Sequence, residues 1–343
     1  MKKLLNTLFV TTQGTYLAKE GEAILIRVEG QTRLRLPVHN LDGIVCFGNV
    51  LCSPFLLGHC AANGVHISFL TENGRFLARV HGPVSGNVLL RRTQHRLADD
   101  PGARADLARL FVLGKVANTR AVLNRSARDR PNTPAAAALR EASTQLAGCL
   151  ESLRRTDSTE TIRGIEGQAA QLYFGAFSNL ITNTHAAFRF NGRNRRPPKD
   201  PVNALLSFFY VLLAHDIQAA LEGVGLDPAV GFLHALRPGR PSLALDLLEE
   251  LRPSLADRLA LTLINRSQLR PSDFTSDPAG GIRLSDEARR TVLKAYQDRK
   301  RDEITHPFLG EKVPIGLIPH AQALLLARHL RGDLDPYPPF AWK

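Results

Sequence analysis

The sequence predicts an α+β chain of two parts, a small N-terminal β-rich domain over residues 1–95 followed by a larger all-α domain over residues 96–343. Three observations predict it. The chain has 343 residues, long for one hydrophobic core and comfortable for two. Up to residue 95 the apolar residues fall in short β-branched or aromatic runs punctuated by Gly and Asn turns. From residue 100 onward they recur at helical spacing in long Ala- and Leu-rich stretches.

In chain order, Ala23–Val28 (AILIRV) and residues 32–36 (TRLRL) predict two strands joined by a hairpin turn at Glu29-Gly30. Residues 41–47 and 65–70 predict further strands, and Glu72-Asn73-Gly74 predicts the turn into a strand over 76–81. Between them Ser53 is placed to cap a short helix that stops at Asn63-Gly64. Helices are then expected over 103–124, 135–153, 161–182, 201–221, 242–251, 255–264, 285–304 and 315–330. Residues 189–200 (RFNGRNRRPPKD) read as a basic, proline-rich loop.

Lys and Arg number 44 against 32 Asp and Glu, a formal net charge of +12. Such a balance points to an anionic partner, nucleic acid before a membrane surface, although charge alone leaves a merely soluble basic protein equally open. The basic residues are mostly Arg, whose planar fork of donors matches phosphate oxygens; a GC-rich coding sequence produces the same bias. The four cysteines, Cys46, Cys52, Cys60 and Cys149, contain no C-x-x-C pair. A zinc knuckle or redox dithiol is therefore not indicated, and reduced thiols in a cytoplasmic protein are expected. The Lys2-Lys3 start resembles a signal peptide, but Asn6 and Thr7 break its apolar run. No uninterrupted apolar stretch reaches the roughly 18 residues of a membrane span, so no membrane association is expected.

The chemistry is expected from three places. Glu166, in RGIEGQAAQLYF, sits on an apolar helical pattern beside Gly167. Glycine is costly inside a helix and commonly permits a close approach, yet an ordinary half-exposed Glu is the commoner occupant of such a position. His234 follows an apolar turn in GFLHALRPGRPSLALDLLEELRP. Ser242 falls where a helix N-cap belongs, after the rigid basic loop that carries Arg237 and Arg240. Asp246 and Glu249 are three residues apart and share one helix face. Taken singly, the His reads as a structural hydrogen-bonder and the carboxylates as solvated or Arg-paired. Together, carboxylate oxygens and one imidazole make a mixed O/N site suited to Mn²⁺ or Mg²⁺, without the thiolates of structural zinc.

The strings RGIEG, GFLH and RPSLALDLLEELRP occur in an order that resembles the CRISPR-associated endonucleases that serve as the integrase of spacer acquisition. The helix-like DPVNALLSFFYVLLAHDI and the opening TLFVTTQGTYLAKEGEAILI extend the resemblance over nearly the whole chain, and its wording suggests the subtype I-C branch. The resemblance implies a helical catalytic domain that binds a divalent metal through Glu166, His234 and Glu249. The last is a Glu where some relatives have Asp, which changes the side-chain reach. Asp246 matches the preceding acidic position and is expected to support the site or face DNA. The resemblance further implies insertion of short foreign double-stranded DNA, the prespacer, at a CRISPR repeat. The 3′-hydroxyl of the incoming DNA attacks a phosphodiester; water in its place gives nuclease activity. It also implies a homodimer, formed through the β-rich domain and joined by a small ferredoxin-like companion protein.

Arg237 and Arg240, and the group Arg193, Arg195, Arg196 and Lys199, are candidate phosphate contacts; each is equally readable as part of a solvated loop. Lys294, Arg299, Lys300 and Arg301 read as a DNA stripe or a plain helix surface. Tyr173 and Tyr210 can stack on bases, but their apolar settings favour core packing. His306 and His320 lack an acidic neighbour at useful spacing. Three other functions compete: a metal-dependent repair or junction nuclease using the same site, a non-catalytic nucleic-acid-binding scaffold, and a structural basic α protein with no nucleic-acid role. Sequence alone does not bring Glu166 and Glu249 together, because 83 positions separate them.

Overall fold

The computed structural model of the chain describes residues 7–41, 43–72, 76–80, 82, 88–278 and 280–342. The chain divides into two compact units. The first comprises residues 1–85, 286–302 and 314–317, and the second residues 86–285, 303–313 and 318–343. The first unit thus takes in a helix from far beyond residue 95.

The first unit is built from β1 (Thr7–Val10), β2 (Tyr16–Glu20), β3 (Ala23–Val28), β4 (Gln31–Pro37), β5 (Gly43–Phe47), β6 (Leu51–Cys52), α1 (Pro54–Ala62), β7 (His66–Leu70) and β8 (Phe76–Val80). They form two four-stranded sheets, ordered β1-β5-β7-β8 and β4-β3-β2-β6. Turn chemistry sets the β3–β4 hairpin: Glu29 and Gly30 both adopt positive φ, 53° and 76°, as a two-residue hairpin turn requires. Ser53 caps α1 as expected, its Oγ accepting from Leu56 N at 3.2 Å, and the helix gives way at Asn63-Gly64. Parallel pairing was not legible beforehand: β5 runs parallel to both β1 and β7, and β2 to β6. A core of Leu17, Ile24, Ile44, Cys46, Leu56, Cys60 and Ile67 fills the unit, so these cysteines are packing residues. The expected turn at Glu72-Asn73-Gly74, the last residue of the 76–81 strand, and the signal-peptide question at residues 1–6 lie outside the described residues.

The second unit is helical: α2 (Val88–Asp99), α3 (Pro101–Asp129), α4 (Pro134–Arg154), α5 (Thr159–Ala176), α6 (Pro201–Gly223), α7 (Ser242–Arg252) and α8 (Arg258–Asn265). The hairpin of β9 (Phe274–Ser276) and β10 (Ile282–Leu284) follows. After α9 (Asp286–Arg301) of the first unit come β11 (Glu303–Thr305), β12 (Lys312–Pro314) and α10 (Ile318–Leu330). Side-chain caps fix several starts: Asp100 on α3, Thr133 on α4, Ser158 on α5 and Asp200 on α6. The 29-residue α3 is the axis on which α4, α5 and α7 pack. Its buried stripe is apolar apart from Lys115, Asn118 and Thr119. Asn118 donates to Glu250 O and Phe340 O and accepts from Trp342 N, which fastens the C-terminal segment.

Helix α6 has the length and hydropathy of a membrane span, with 56% of its most apolar window buried; it packs against α7 and α10 as a core helix. Residues 88–95, taken as the end of the β-rich part, belong instead to the helix Val88–Asp99. They alternate charged and apolar residues with a helical rather than a two-residue period. Ser242 is not an N-cap: it is the first residue of α7, and its Oγ donates to Ala235 O at 3.2 Å.

Candidate active site

Within the helical unit, α5, α6, α7 and the loop over 189–200 enclose a cleft of about 790 Å³. Glu166, His234, Glu249, Arg252, Tyr210 and Arg195 are among its lining residues. All three residues expected to bind metal therefore share one cleft.

The carboxylates converge through a residue that sequence reasoning missed. Lys115, buried on α3, sends its ammonium between them: Nζ lies 2.6 Å from Glu249 Oε2 and pairs with Glu166 Oε1. Glu166 on α5 and Glu249 on α7 thus meet around a single cationic position. Arg252, one turn beyond Glu249, donates to its other oxygen at 2.9 Å. Burial opposes ionisation of Glu249, but the Arg252 guanidinium and Lys115 ammonium outweigh it and hold its carboxyl down to about 2. Glu249 Oε2 is buried and accepts no hydrogen bond, so the Lys115 contact is a close ion pair without hydrogen-bond alignment.

His234 is set by Asp246. The Asp246 carboxylate is fully buried. Its Oδ2 accepts from the backbone N–H groups of Phe232 and Leu233 at 2.6 and 3.0 Å, and its Oδ1 accepts from His234 N at 2.9 Å. The His234 Nδ1 lies 2.7 Å from the same Oδ1, so the ring donates from Nδ1 and keeps its lone pair on Nε2. Asp246 therefore orients His234 and has no exposed surface for DNA. Gly231 makes this turn possible: a Cβ there would lie 2.7 Å from Asp246 Oδ2 and 2.7 Å from Ser242 C. Gly167, by contrast, meets nothing within 4 Å, so its place beside Glu166 reflects no close approach within the chain.

A layer behind Glu249 holds Arg252 in place. Arg193 and Arg252 stack on the Tyr210 ring, each 5.3 Å from its centroid. Tyr210 and Tyr173 donate to the two oxygens of Asp257, at 2.6 and 2.9 Å. Burial, reinforced by the Asp257 charge, pushes both phenols well above their ordinary value, so they stay neutral donors. Tyr173 is buried and Tyr210 sandwiched, which makes them packing and hydrogen-bonding groups. Arg193 is also tied to Asn203 and Ser207, whereas Arg195 lines the cleft exposed; Arg196, Lys199 and Arg237 are exposed, and Arg240 is half-buried. Lys294, Arg299 and Arg301 pair with Asp298 or Asp302 nearby on or beside their own helix, and Lys300 is buried. His306 is buried against Gln322.

Among the described residues, no group of three His, Cys, Asp or Glu side chains is arranged to hold a metal ion, and the Lys115 ammonium stands between the two carboxylates. The donor set nevertheless fits a hard divalent cation: two carboxylates already gathered around one positive charge, a buried oxygen without a hydrogen-bond donor, and an imidazole with an oriented lone pair lining the same cleft.

Comparison with known proteins gives the class. The family model described as CRISPR associated protein Cas1 matches residues 8–298, and the chain belongs to this family. It is 57% identical over 343 residues to the CRISPR-associated endonuclease Cas1 1 of Chlorobaculum tepidum, covering 100% of both chains. The fold is shared with a casposase bound to integration product, at TM-score 0.84 and 22% identity over 98% of this chain and 94% of that one. It is shared also with a chain of a Cas6-RT-Cas1–Cas2 complex, at TM-score 0.82 and 21% identity over 100% of this chain and 36% of that one.

Proposed function

We propose that this chain is a divalent-metal-dependent DNA endonuclease and integrase that inserts short foreign DNA segments into a CRISPR array, in the subtype I-C branch. The observation that carries the proposal is the convergence of Glu166 and Glu249 on one cation position, in a cleft shared with His234 and edged by Arg195. The relative from Chlorobaculum tepidum is named an endonuclease, and a structural neighbour is a casposase captured with its integration product. Both support the reading.

Glu166, Glu249 and His234 Nε2 would hold Mn²⁺ or Mg²⁺, with Lys115 swinging aside. A cation there would polarise the phosphodiester and stabilise the charge that builds on it. The protein's own groups do the rest. Glu249, held down to about 2, is anionic at any working pH. Asp246 fixes the His234 tautomer, so the lone pair faces away from its own support. Arg195 and, beside the His234 loop, Arg237 and Arg240 supply phosphate contacts. In the reaction, the incoming strand's 3′-oxygen forms a bond to phosphorus, and the bond from phosphorus to the departing 3′-oxygen at the repeat boundary breaks.

The chain acts in the cytoplasm as a homodimer through its β-rich unit, bridged by a small ferredoxin-like companion. A structural neighbour drawn from a Cas1–Cas2 assembly supports a protein partner. The test combines purified chain and companion with prespacer and repeat-containing duplex, in Mn²⁺, Mg²⁺ or EDTA. Metal-dependent joined products that vanish in Glu166→Ala support the proposal. Cleavage without joining favours a repair or junction nuclease. DNA binding with no metal-dependent product favours a scaffold.

A further inference from the structure

A second cavity of about 400 Å³ lies elsewhere in the helical unit, between the last turns of α3, the start of α4, the turn joining α7 to α8, and the C-terminal segment. It shares no lining residue with the carboxylate cleft. Four guanidinium groups line it, Arg125, Arg128, Arg140 and Arg258, and no Asp or Glu does.

Arg125 and Arg128 are three apart on α3 and project from one face of it. Among the described residues, no carboxylate pairs with Arg125, Arg128 or Arg140; Arg140 is steadied by donating to Pro131 O at 3.0 Å. Arg258 is held over the Trp342 ring, 4.9 Å from its centroid. Ser254, only 1% exposed, lines the same cavity, and among the described residues its Oγ has no hydrogen-bond partner. Several other basic groups of the protein do have carboxylate partners: Lys115 has two, Arg252 has Glu249, and Lys294, Arg299 and Arg301 have Asp298 or Asp302. A cavity in which three guanidiniums without a carboxylate partner, Arg125, Arg128 and Arg140, stand beside Arg258 over a buried hydroxyl without a hydrogen-bond partner is complementary to a compact anion rich in acceptor oxygens. Its volume falls at the lower end for small-molecule sites and suits a nucleotide.

We propose that this cavity is a second, non-catalytic binding site for a nucleoside phosphate monoester, free in solution or at the 5′ end of a DNA strand. The guanidiniums meet the phosphate oxygens, and the Ser254 hydroxyl donates to one of them. The inference stands apart from the metal-site reading, because it requires neither metal nor catalysis.

Trp342, the only tryptophan in the chain, lines the cavity and reports on it. The full chain in EDTA is titrated with deoxyadenosine monophosphate and with one oligonucleotide carrying either a 5′-phosphate or a 5′-hydroxyl. Trp342 fluorescence is followed and calorimetry run in parallel. Saturable binding of the nucleotide or of the 5′-phosphorylated strand is expected, weakened roughly tenfold or more in Arg125→Gln/Arg128→Gln. Both arginines are solvent-exposed, so the variant should keep the wild-type thermal transition, and Ser254→Ala provides a second variant with the same direction of effect. Stronger binding of the free nucleotide identifies a soluble ligand, and stronger binding of the phosphorylated strand identifies a strand end. Equal affinity of wild type and double variant overturns the proposal. So does equal binding of the 5′-phosphate and 5′-hydroxyl strands without binding of the nucleotide.

Discussion

Replacing Lys115 with Met tests how the carboxylates are held together. Lys115 is 2% exposed, and its ammonium lies 2.6 Å from Glu249 Oε2. At an effective dielectric near 20, that contact represents roughly 6 kcal/mol of gross attraction, part of which desolvation of the ammonium offsets. Removing one partner of a buried pair costs about 3–5 kcal/mol. Here Glu249 keeps Arg252 at 2.9 Å and the Glu166 side chain remains 26% exposed. The loss therefore belongs at the lower end, about 3 kcal/mol. Urea unfolding followed through Trp342, in EDTA, measures it. Because the variant leaves two carboxylates around a site without its cation, Mn²⁺ should restore more stability to Lys115→Met than it adds to the wild type. A loss below about 0.5 kcal/mol in EDTA would refute this reasoning, since it is the ordinary scatter of surface substitutions. Equal Mn²⁺ stabilisation of both proteins would refute it too.

Asp246→Asn should reduce activity far more than its change in size suggests: the amide presents donors where Phe232 N, Leu233 N, His234 N and His234 Nδ1 need acceptors. The His234 ring resonances in NMR should show the other tautomer or a mixture, and an unchanged spectrum would count against the assignment. Gly231→Ala should lose roughly 1–3 kcal/mol by forcing Asp246 and Ser242 away, read in the same unfolding assay. Burial pushes Glu250 up to about 8 from an ordinary 4.5, only partly opposed by donors from Phe340 N, Tyr337 and Gln322. The folded state therefore binds this proton more tightly, and the group's contribution to stability falls as pH rises from about 4.5 to about 8. Glu250→Gln should gain on the wild type across that window, and a constant stability difference between pH 5.5 and 8.5 would contradict the prediction. Glu249 has the opposite sign: its folded-state carboxyl is held at about 2, so its contribution is complete above about 4.5 and is lost as pH falls toward 2. Glu249→Gln should flatten that part of the acid-unfolding curve.

Much of this architecture is local in origin and so was legible in the sequence. The Glu29-Gly30 hairpin, the Ser53 cap and the long α3 and α6 each follow from a few consecutive residues. The parallel pairings of β5 and the membership of α9 in the first unit depend on contacts between distant segments, which periodicity does not carry. The site divides in the same way. Asp246 and His234 are close in sequence and meet through one tight turn around Gly231. Lys115 carried no signal, because one lysine in an Ala- and Leu-rich helix looks like an ordinary surface position. Only its place on the buried stripe of α3 would have singled it out. Asp257, which anchors both tyrosines, was hidden in the same way inside the irregular turn between α7 and α8.

The most direct test of the site is to locate the cation. Crystals of the protein grown with Mn²⁺, measured at the manganese absorption edge, should show an anomalous peak bonded to Glu166, Glu249 and His234 Nε2, with the Lys115 ammonium displaced from between the carboxylates. A peak elsewhere, or Lys115 still bridging Glu166 and Glu249 at saturating Mn²⁺, would contradict the assignment of this cleft as the metal centre.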